Sequence, residues 1–144
     1  MFNLRTSLSL PCLALFFLAA ATRADVRIDL VGHWGGSVHA VDMGGTYAYV
    51  GVGPRLVVLD LSNPAEPERV GQSPPLGHIP TAITLYQSHC YVGLITGALC
   101  IVNIGDPTDP RLLGSCQLGD RVVDIAVQDD IAIASTKDAG IYVL

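Results

Sequence analysis

The chain has 144 residues, half of them hydrophobic, with eight basic against thirteen acidic side chains and a formal net charge of −5. This acidity argues against nucleic acid and against anionic membrane surfaces as partners. The length suits one domain with a hydrophobic core.

Residues 1–24 have the features of a cleaved export signal. Arg5 precedes a nearly unbroken apolar run over 8–21, and Thr22-Arg23-Ala24 places small residues where signal peptidase reads them. A run of about fourteen residues is short for a membrane span. We therefore expect cleavage before Asp25, a secreted, periplasmic or cell-surface location, and no membrane insertion after cleavage. A retained anchor is the alternative.

The rest of the chain is predicted to be all-β. Turn residues separate runs of four to seven residues rich in Val, Ile, Leu and Tyr, which are too short for helices. Residues 56–67 return as residues 99–110, and a period in the low forties is typical of a four-stranded β-propeller blade. We call the four antiparallel strands of a blade A to D, from the centre outward.

In chain order, the repeat predicts a lone D strand over 26–33, a blade over 37–74, a second over 79–117 and a partial blade over 121–144. Strand C is a continuous apolar run, as expected for a strand buried on both faces. Strand D is marked by an apolar residue followed by glycine. These pairs are Val31-Gly32, Val70-Gly71 and Leu113-Gly114.

The strand order predicts about three blades, whereas closed propellers have four to eight. The lone D strand would complete the last blade. Two sheet faces would still lack a neighbour and expose apolar strand C residues, which implies a partner. Either two chains close a six-bladed ring as a dimer, or the reading frame is a remnant of a longer protein. The abrupt end at Leu144 favours the second interpretation.

Three cysteines follow the predicted cleavage site: Cys90, Cys100 and Cys116. An odd number in an oxidising compartment excludes a fully paired intramolecular set of disulfides. With a two- or four-residue turn around Thr96-Gly97, Cys90 and Cys100 would point to opposite faces of the sheet. The sequence therefore predicts buried free thiols.

The chain resembles the LVIVD-repeat proteins, which are mostly secreted or surface-associated propellers of bacteria and archaea. The resemblance rests on Tyr49-Val50-Gly51, Leu56-Val57-Val58-Leu59-Asp60 and the turn over 62–67. The second copy, with Tyr91-Val92-Gly93, has Cys for Val and Asn for Asp in its strand C, and the third copy, over 141–144, is incomplete. The resemblance implies an exported propeller and carries no catalytic residue.

The candidate ligand site lies on the face that carries the D-to-A and B-to-C loops. It comprises His33, Trp34, Arg55, His78 and Arg121. Trp34 could stack on a sugar ring or a partner side chain, or pack over the end of the core. We expect a non-catalytic binding module for a protein or glycan partner, with no cofactor and no metal.

Two other functions stay open. No nucleophile elbow, phosphate-binding loop or dinucleotide fingerprint is present. A hydrolase-like site could nevertheless assemble around the propeller channel from His39, Asp42, Arg121 and Asp124, or the chain could be an inactive fragment. The opposite face is strongly acidic but lacks the spacing of a calcium loop, so solvated turns are expected there.

Overall fold

A computed structural model describes residues 27–144, so the predicted export signal lies outside the described residues. The described residues form eleven β-strands and no helix, and therefore no helix long and apolar enough to cross a membrane. The strands are β1 Val38–Gly44, β2 Tyr47–Val52, β3 Arg55–Asp60, β4 Glu68–Gln72, β5 Pro80–Tyr86, β6 His89–Leu94, β7 Ala98–Asn103, β8 Arg111–Gln117, β9 Val122–Gln128, β10 Ile131–Thr136 and β11 Ile141–Val143.

The strands form three antiparallel sheets, which confirms the all-β prediction of incomplete propeller blades. The first sheet has the order β1-β2-β3-β4 and the second β5-β6-β7-β8, whereas the third has only β9, β10 and β11. β1 packs against β5, and β5 packs against β9. These three strands are therefore the inner A strands, and the second sheet stands between the other two.

Two-residue turns join strands A and B at the same position of each repeat. The first turn residue is Gly45, Gln87 or Asp129, with φ of 61°, 53° and 52°. A positive φ at the first turn position lets a tight turn follow the right-handed twist of the two strands. Gln87 and Asp129 adopt it without the freedom of glycine.

The glycines of the D strands allow neighbouring blades to approach closely. Val70 is the extra residue of a bulge between β3 and β4, and its side chain packs into the core. A Cβ on Gly71 would overlap the Pro107 carbonyl of the next blade's turn. Gly32 makes the same approach to Pro64, whereas Gly114 faces open space.

The predicted D strand over 26–33 does not form in the described part of that segment. Residues 27–37 belong to no strand, and the third sheet has three strands. The reason is the lack of an adjacent strand edge. Gly32 lies against Pro64 of the first sheet, whereas the β11 edge lies beyond the second sheet.

The cores lie between the sheets. In the first junction, Leu56 and Val58 of the first sheet pack with Val92 and Val102 of the second. The second junction packs the second sheet on the third. Its buried members are Ala82, Leu99, Leu118, Val122, Ile125 and Ala134. A third cluster, formed by Ala48, Val50, Val57 and Leu59, lies on the outward face of the first sheet.

The cysteines are free, but two expectations about them are wrong. The loop between β6 and β7 has three residues, over 95–97, so Cys90 and Cys100 face the same side and share the first junction. They remain unpaired because Cys90 is opposite Val102, two residues from Cys100. Cys116, on the outermost strand of the second sheet, is exposed rather than buried.

Candidate functional site

The loops form two separate rims, as the repeat predicts. On one rim, which we call the D–A rim, the Leu76 amide donates to the Pro54 carbonyl at 2.7 Å and so ties a D-to-A loop to a B-to-C turn. On the other, the C–D rim, the Ile104 amide donates to the Ser88 carbonyl at 2.8 Å. Each rim is thus held by its own backbone contacts.

Three of the predicted ligand residues, Arg55, His78 and Arg121, lie in or beside loops of the D–A rim. His33, His78 and Arg121 are exposed in the segments that lead into β1, β5 and β9. Arg55 begins β3, is half-buried, and donates from its guanidinium to the Ser73 carbonyl at 2.7 Å. His33 directly follows Gly32, which lies against the Pro64 carbonyl of a C-to-D turn, so the structure does not bring His33 together with the other three.

Trp34 is placed differently from the other four. Its half-buried ring packs against the third cluster, which includes Val50, Val57 and Leu59. Apolar contact of this kind stabilises the first sheet. The structure therefore packs Trp34 on the outward face of the first sheet.

The residues of the possible hydrolase site do not converge. Asp42 accepts hydrogen bonds from the amides of Leu85 and Met43, each at 2.8 Å, so its carboxylate joins β1 to β5. Asp124 accepts from the Ile125 amide at 2.9 Å. Asp42 and Asp124 lie on β1 and β9, with β5 between them.

The inter-strand role of Asp42 is structural, because its repeat neighbour has a similar one. Thr84 occupies the same position in the second sheet and donates from its hydroxyl to the Ile125 carbonyl at 2.7 Å. His39 is exposed, with its Nε2 at 3.3 Å from the Ser37 hydroxyl. Within residues 27–144, no group of three or more His, Cys, Asp or Glu side chains could hold a metal ion.

The acidic residues of the C–D rim include several that shape turns. Asp60 accepts from the Ser62 amide at 2.7 Å, and hydrogen bonding by Ser62 lowers the pKa of Asp60 below its usual value. Asp106 accepts from the Thr108 amide and hydroxyl at 2.9 and 2.7 Å, and this hydrogen bonding lowers its pKa as well. These carboxylates are committed to the backbone of the turns that the repeat signature specifies.

The third sheet carries exposed apolar side chains on its far face. Ile141 and Val143 are 69% and 67% exposed, whereas Leu56, at the repeat position of Ile141, is fully buried. Between the second and third sheets lies a groove of about 510 Å³. It is lined partly by Tyr91, Ile101, Gly114, Cys116, Ile131 and Leu144. The sequence anticipated an uncovered face but not this groove.

Three antiparallel blades and two loop rims define a propeller-type repeat protein in which the scaffold, rather than a catalytic cluster, repeats. A sequence model of the LVIVD repeat matches residues 35–73 and 81–117, which together are more than half of the chain. The protein belongs to the LVIVD-repeat family. A search of curated proteins finds no match.

Among solved structures, the chain is similar to the crystal structure of the computationally designed Ika8 protein. The TM-score is 0.62 at 16% sequence identity, over 74% of this chain and 32% of the designed chain. The chain therefore spans about a third of that protein's length. At this identity the likeness shows the fold alone.

Proposed function

We propose that the protein is an exported, non-catalytic binding module that holds a protein or glycan partner on its D–A rim. The observation that carries the proposal is the pair of exposed donor side chains, His78 and Arg121, in two loops of that rim. On the opposite rim, carboxylates such as Asp60 and Asp106 are already engaged by turns.

The charges of the D–A rim also favour a partner rich in carboxylates or hydroxyls. Asp120 is occupied by the amides of Asp138 and Ala139, at 2.5 and 3.1 Å, and Lys137 pairs with Asp138 at 3.1 Å. The Arg121 guanidinium and the His78 imidazole thus provide the exposed donors of this rim. A guanidinium binds carboxylates in a bidentate manner, and both groups can donate to sugar hydroxyls.

Export is part of the proposal and rests on residues 1–24. Fractionation of cells that express the full chain, followed by N-terminal sequencing, tests it. We expect the mature protein outside the cytoplasm, with Asp25 as its first residue. Recovery of the uncut chain in the cytoplasm would contradict this.

Binding is tested by presenting the exported protein to a printed glycan array and to a phage-displayed peptide library. The variant H78A/R121A should bind the selected glycan or peptide at least tenfold more weakly. The matched control E66A/E68A changes two exposed charges of the C–D rim and should bind as the unchanged protein does. Equal losses in both variants would contradict a site on the D–A rim.

The same binding experiment separates a binding module from a hydrolase. Each selected glycan or peptide is incubated with the protein and analysed by mass spectrometry. We expect it to remain intact over many hours. Cleavage that disappears in D42N or H39A would overturn the non-catalytic assignment.

A further inference from the structure

We propose that two copies of this chain associate head to tail, so that residues 27–32 of each copy add as a fourth strand to β11 of the other. The outward face of the first sheet in one copy then covers the far face of the third sheet in its partner. Three blades from each copy make six, which lies within the range of closed propellers.

The first argument is a series of equivalent positions whose burial depends on the next blade. Leu56, Leu99 and Ile141 occupy the same repeat position and are 0%, 3% and 69% exposed. The first two are covered by the second and third sheets respectively. Ile141 has no such cover from residues 27–144. Its exposure, together with that of Val143, marks a face shaped to receive another blade.

The second argument is that the outward face of the first sheet has the character of the missing cover. In the first junction, the second sheet supplies the covering residues Cys90, Val92, Cys100 and Val102. The equivalent positions of the first sheet carry Ala48, Val50, Val57 and Leu59, which are apolar and form the cluster beneath Trp34. These four side chains are already 4–6% exposed in the single chain, with Trp34 packed against them, so the third sheet of the partner would meet this face at Trp34.

The third argument concerns the free edge of β11. The equivalent strands β3 and β7 pair with β4 and β8, whereas β11 pairs only with β10. A strand edge with unpaired amides and carbonyls is a template for an added strand. In the first and second sheets this edge is always occupied, so the third sheet is incomplete by one strand.

The fourth argument is the position and composition of residues 27–32. Ile28 and Leu30 are 93% and 90% exposed, although both are strongly apolar. The segment ends in the Val31-Gly32 pair, and Gly32 approaches Pro64 as Gly71 approaches Pro107. It therefore lies where the D strand of a preceding blade would lie, and the partner's third sheet would be that blade.

The repeat also supplies the register of the added strand. Ile101 pairs with Gly114 and Val102 with Leu112 in the second sheet. At the equivalent positions, Val143 of one copy would pair with Gly32 of the other, and Leu144 with Leu30. Paired positions in antiparallel strands are about 4.5 to 5.5 Å apart at their Cα atoms, which is within reach of a disulfide.

The test is a cross-link at this register in the full chain, recovered after export, in a C116S background. The variant L30C/L144C should form a covalent dimer under mild oxidation, seen on a non-reducing gel and by light scattering. The off-register control L30C/I141C and the two single-cysteine variants should cross-link at least tenfold less. A ladder of higher oligomers would overturn the two-copy ring, and so would a monomer with no more cross-linking than the controls.

A second measurement does not depend on cysteine chemistry. V143K changes a side chain that is exposed in the single chain, so it should fold normally by circular dichroism and yet weaken association at least tenfold. Trp34, the only tryptophan, lies at the proposed interface, so its emission should shift to the red as the associated protein is diluted. Unchanged association in V143K would overturn the proposal.

Discussion

The two junctions between sheets are built from equivalent residues, but only the first is complete. In the first, Gly71 fits beneath the Pro107 turn and Ser73 is fully buried. In the second, Gly114 faces open space, Cys116 is exposed, and a groove of about 510 Å³ remains. The C-to-D turn that follows β7 covers the first junction, and residues 27–144 contain no such turn after β11. On the face of each sheet that meets the next blade, burial therefore depends on that blade.

The largest contrast should come from strand C. L56A removes a fully buried side chain of the first junction and should lower the free energy of unfolding by about 3 kcal/mol. I141A, at the same repeat position but 69% exposed, should change it by less than about 0.5 kcal/mol in dilute protein. Urea denaturation measures both variants. Similar losses would mean that the far face of the third sheet is already covered.

The D-strand glycines provide the next contrast. A Cβ in G71A would collide with the backbone of Pro107 and Thr108, which cannot move without opening the junction. We expect a loss of about 2 kcal/mol. In G114A the same methyl group enters open space, so the stability should stay within about 0.5 kcal/mol. Thermal melts of the two variants distinguish a packing requirement from a general need for glycine in strand D.

The third contrast is between Ser73 and Cys116, which occupy the same repeat position. The Ser73 hydroxyl accepts from the Leu56 amide at 3.0 Å and donates to the Pro74 carbonyl at 2.7 Å. S73A leaves the buried amide without this acceptor and should cost about 1 to 3 kcal/mol. C116A should have almost no effect. A loss as large in C116A would show that the groove at the second junction is filled in solution.

These comparisons show which features the sequence could predict. The 42–43-residue period, the apolar C strands and the Asp or Asn turns depend on local residue types, and they correctly indicated propeller-type blades. The relative orientation of Cys90 and Cys100 depended on one loop residue. The connection over 95–97 has three residues, whereas a turn of two or four would have put Cys90 and Cys100 on opposite faces of the sheet. A local pattern cannot determine such a count.

The candidate site was less predictable because it depends on what each loop contacts. Strand order alone predicts that the loops of His78 and Arg121 share one rim, whereas His33 follows Gly32 at a C-to-D turn. The packing of Trp34 on the third cluster did not follow from strand order, since the same loop position could equally face solvent. Likewise, residues 27–33 carry the signature of strand D, but a strand requires an adjacent edge as well as a sequence.

A smaller effect is expected at the A-to-B turns. Gln87 adopts a φ of 53°, where Gly45 stands in the first sheet with a φ of 61°. The left-handed conformation costs a non-glycine residue about 1 to 2 kcal/mol, and a substitution to glycine removes this cost. Part of the gain is offset because glycine makes the unfolded chain more flexible. Q87G should therefore stabilise the protein by about 0.5 kcal/mol. The control S88G, at the adjacent turn residue, should not stabilise it.

The smallest effect concerns Asp120, which ties the loop before β9 to the turn before β11. The amide of Asp138 donates to its carboxylate at 2.5 Å, and this hydrogen bond is the main reason that the pKa of Asp120 lies below its usual value. A carboxyl group whose pKa is lower in the folded state contributes stability above its unfolded pKa of about 4. That contribution is lost as the pH falls through the folded pKa.

D120N should therefore be less stable than the unchanged protein at pH 7, and the two should converge once the pH falls below the lowered pKa of Asp120 in the folded state. Urea denaturation across this range measures the difference at each pH. The control D130N changes an exposed carboxylate of the C–D rim. A constant difference between D120N and the unchanged protein at all pH values would mean that Asp120 acts through its shape rather than its charge. The Asp120 carboxylate links the loop before β9 to the turn before β11, and both lie beside the second junction. A confirmed pH dependence would therefore place an acid-sensitive contact at the incomplete junction.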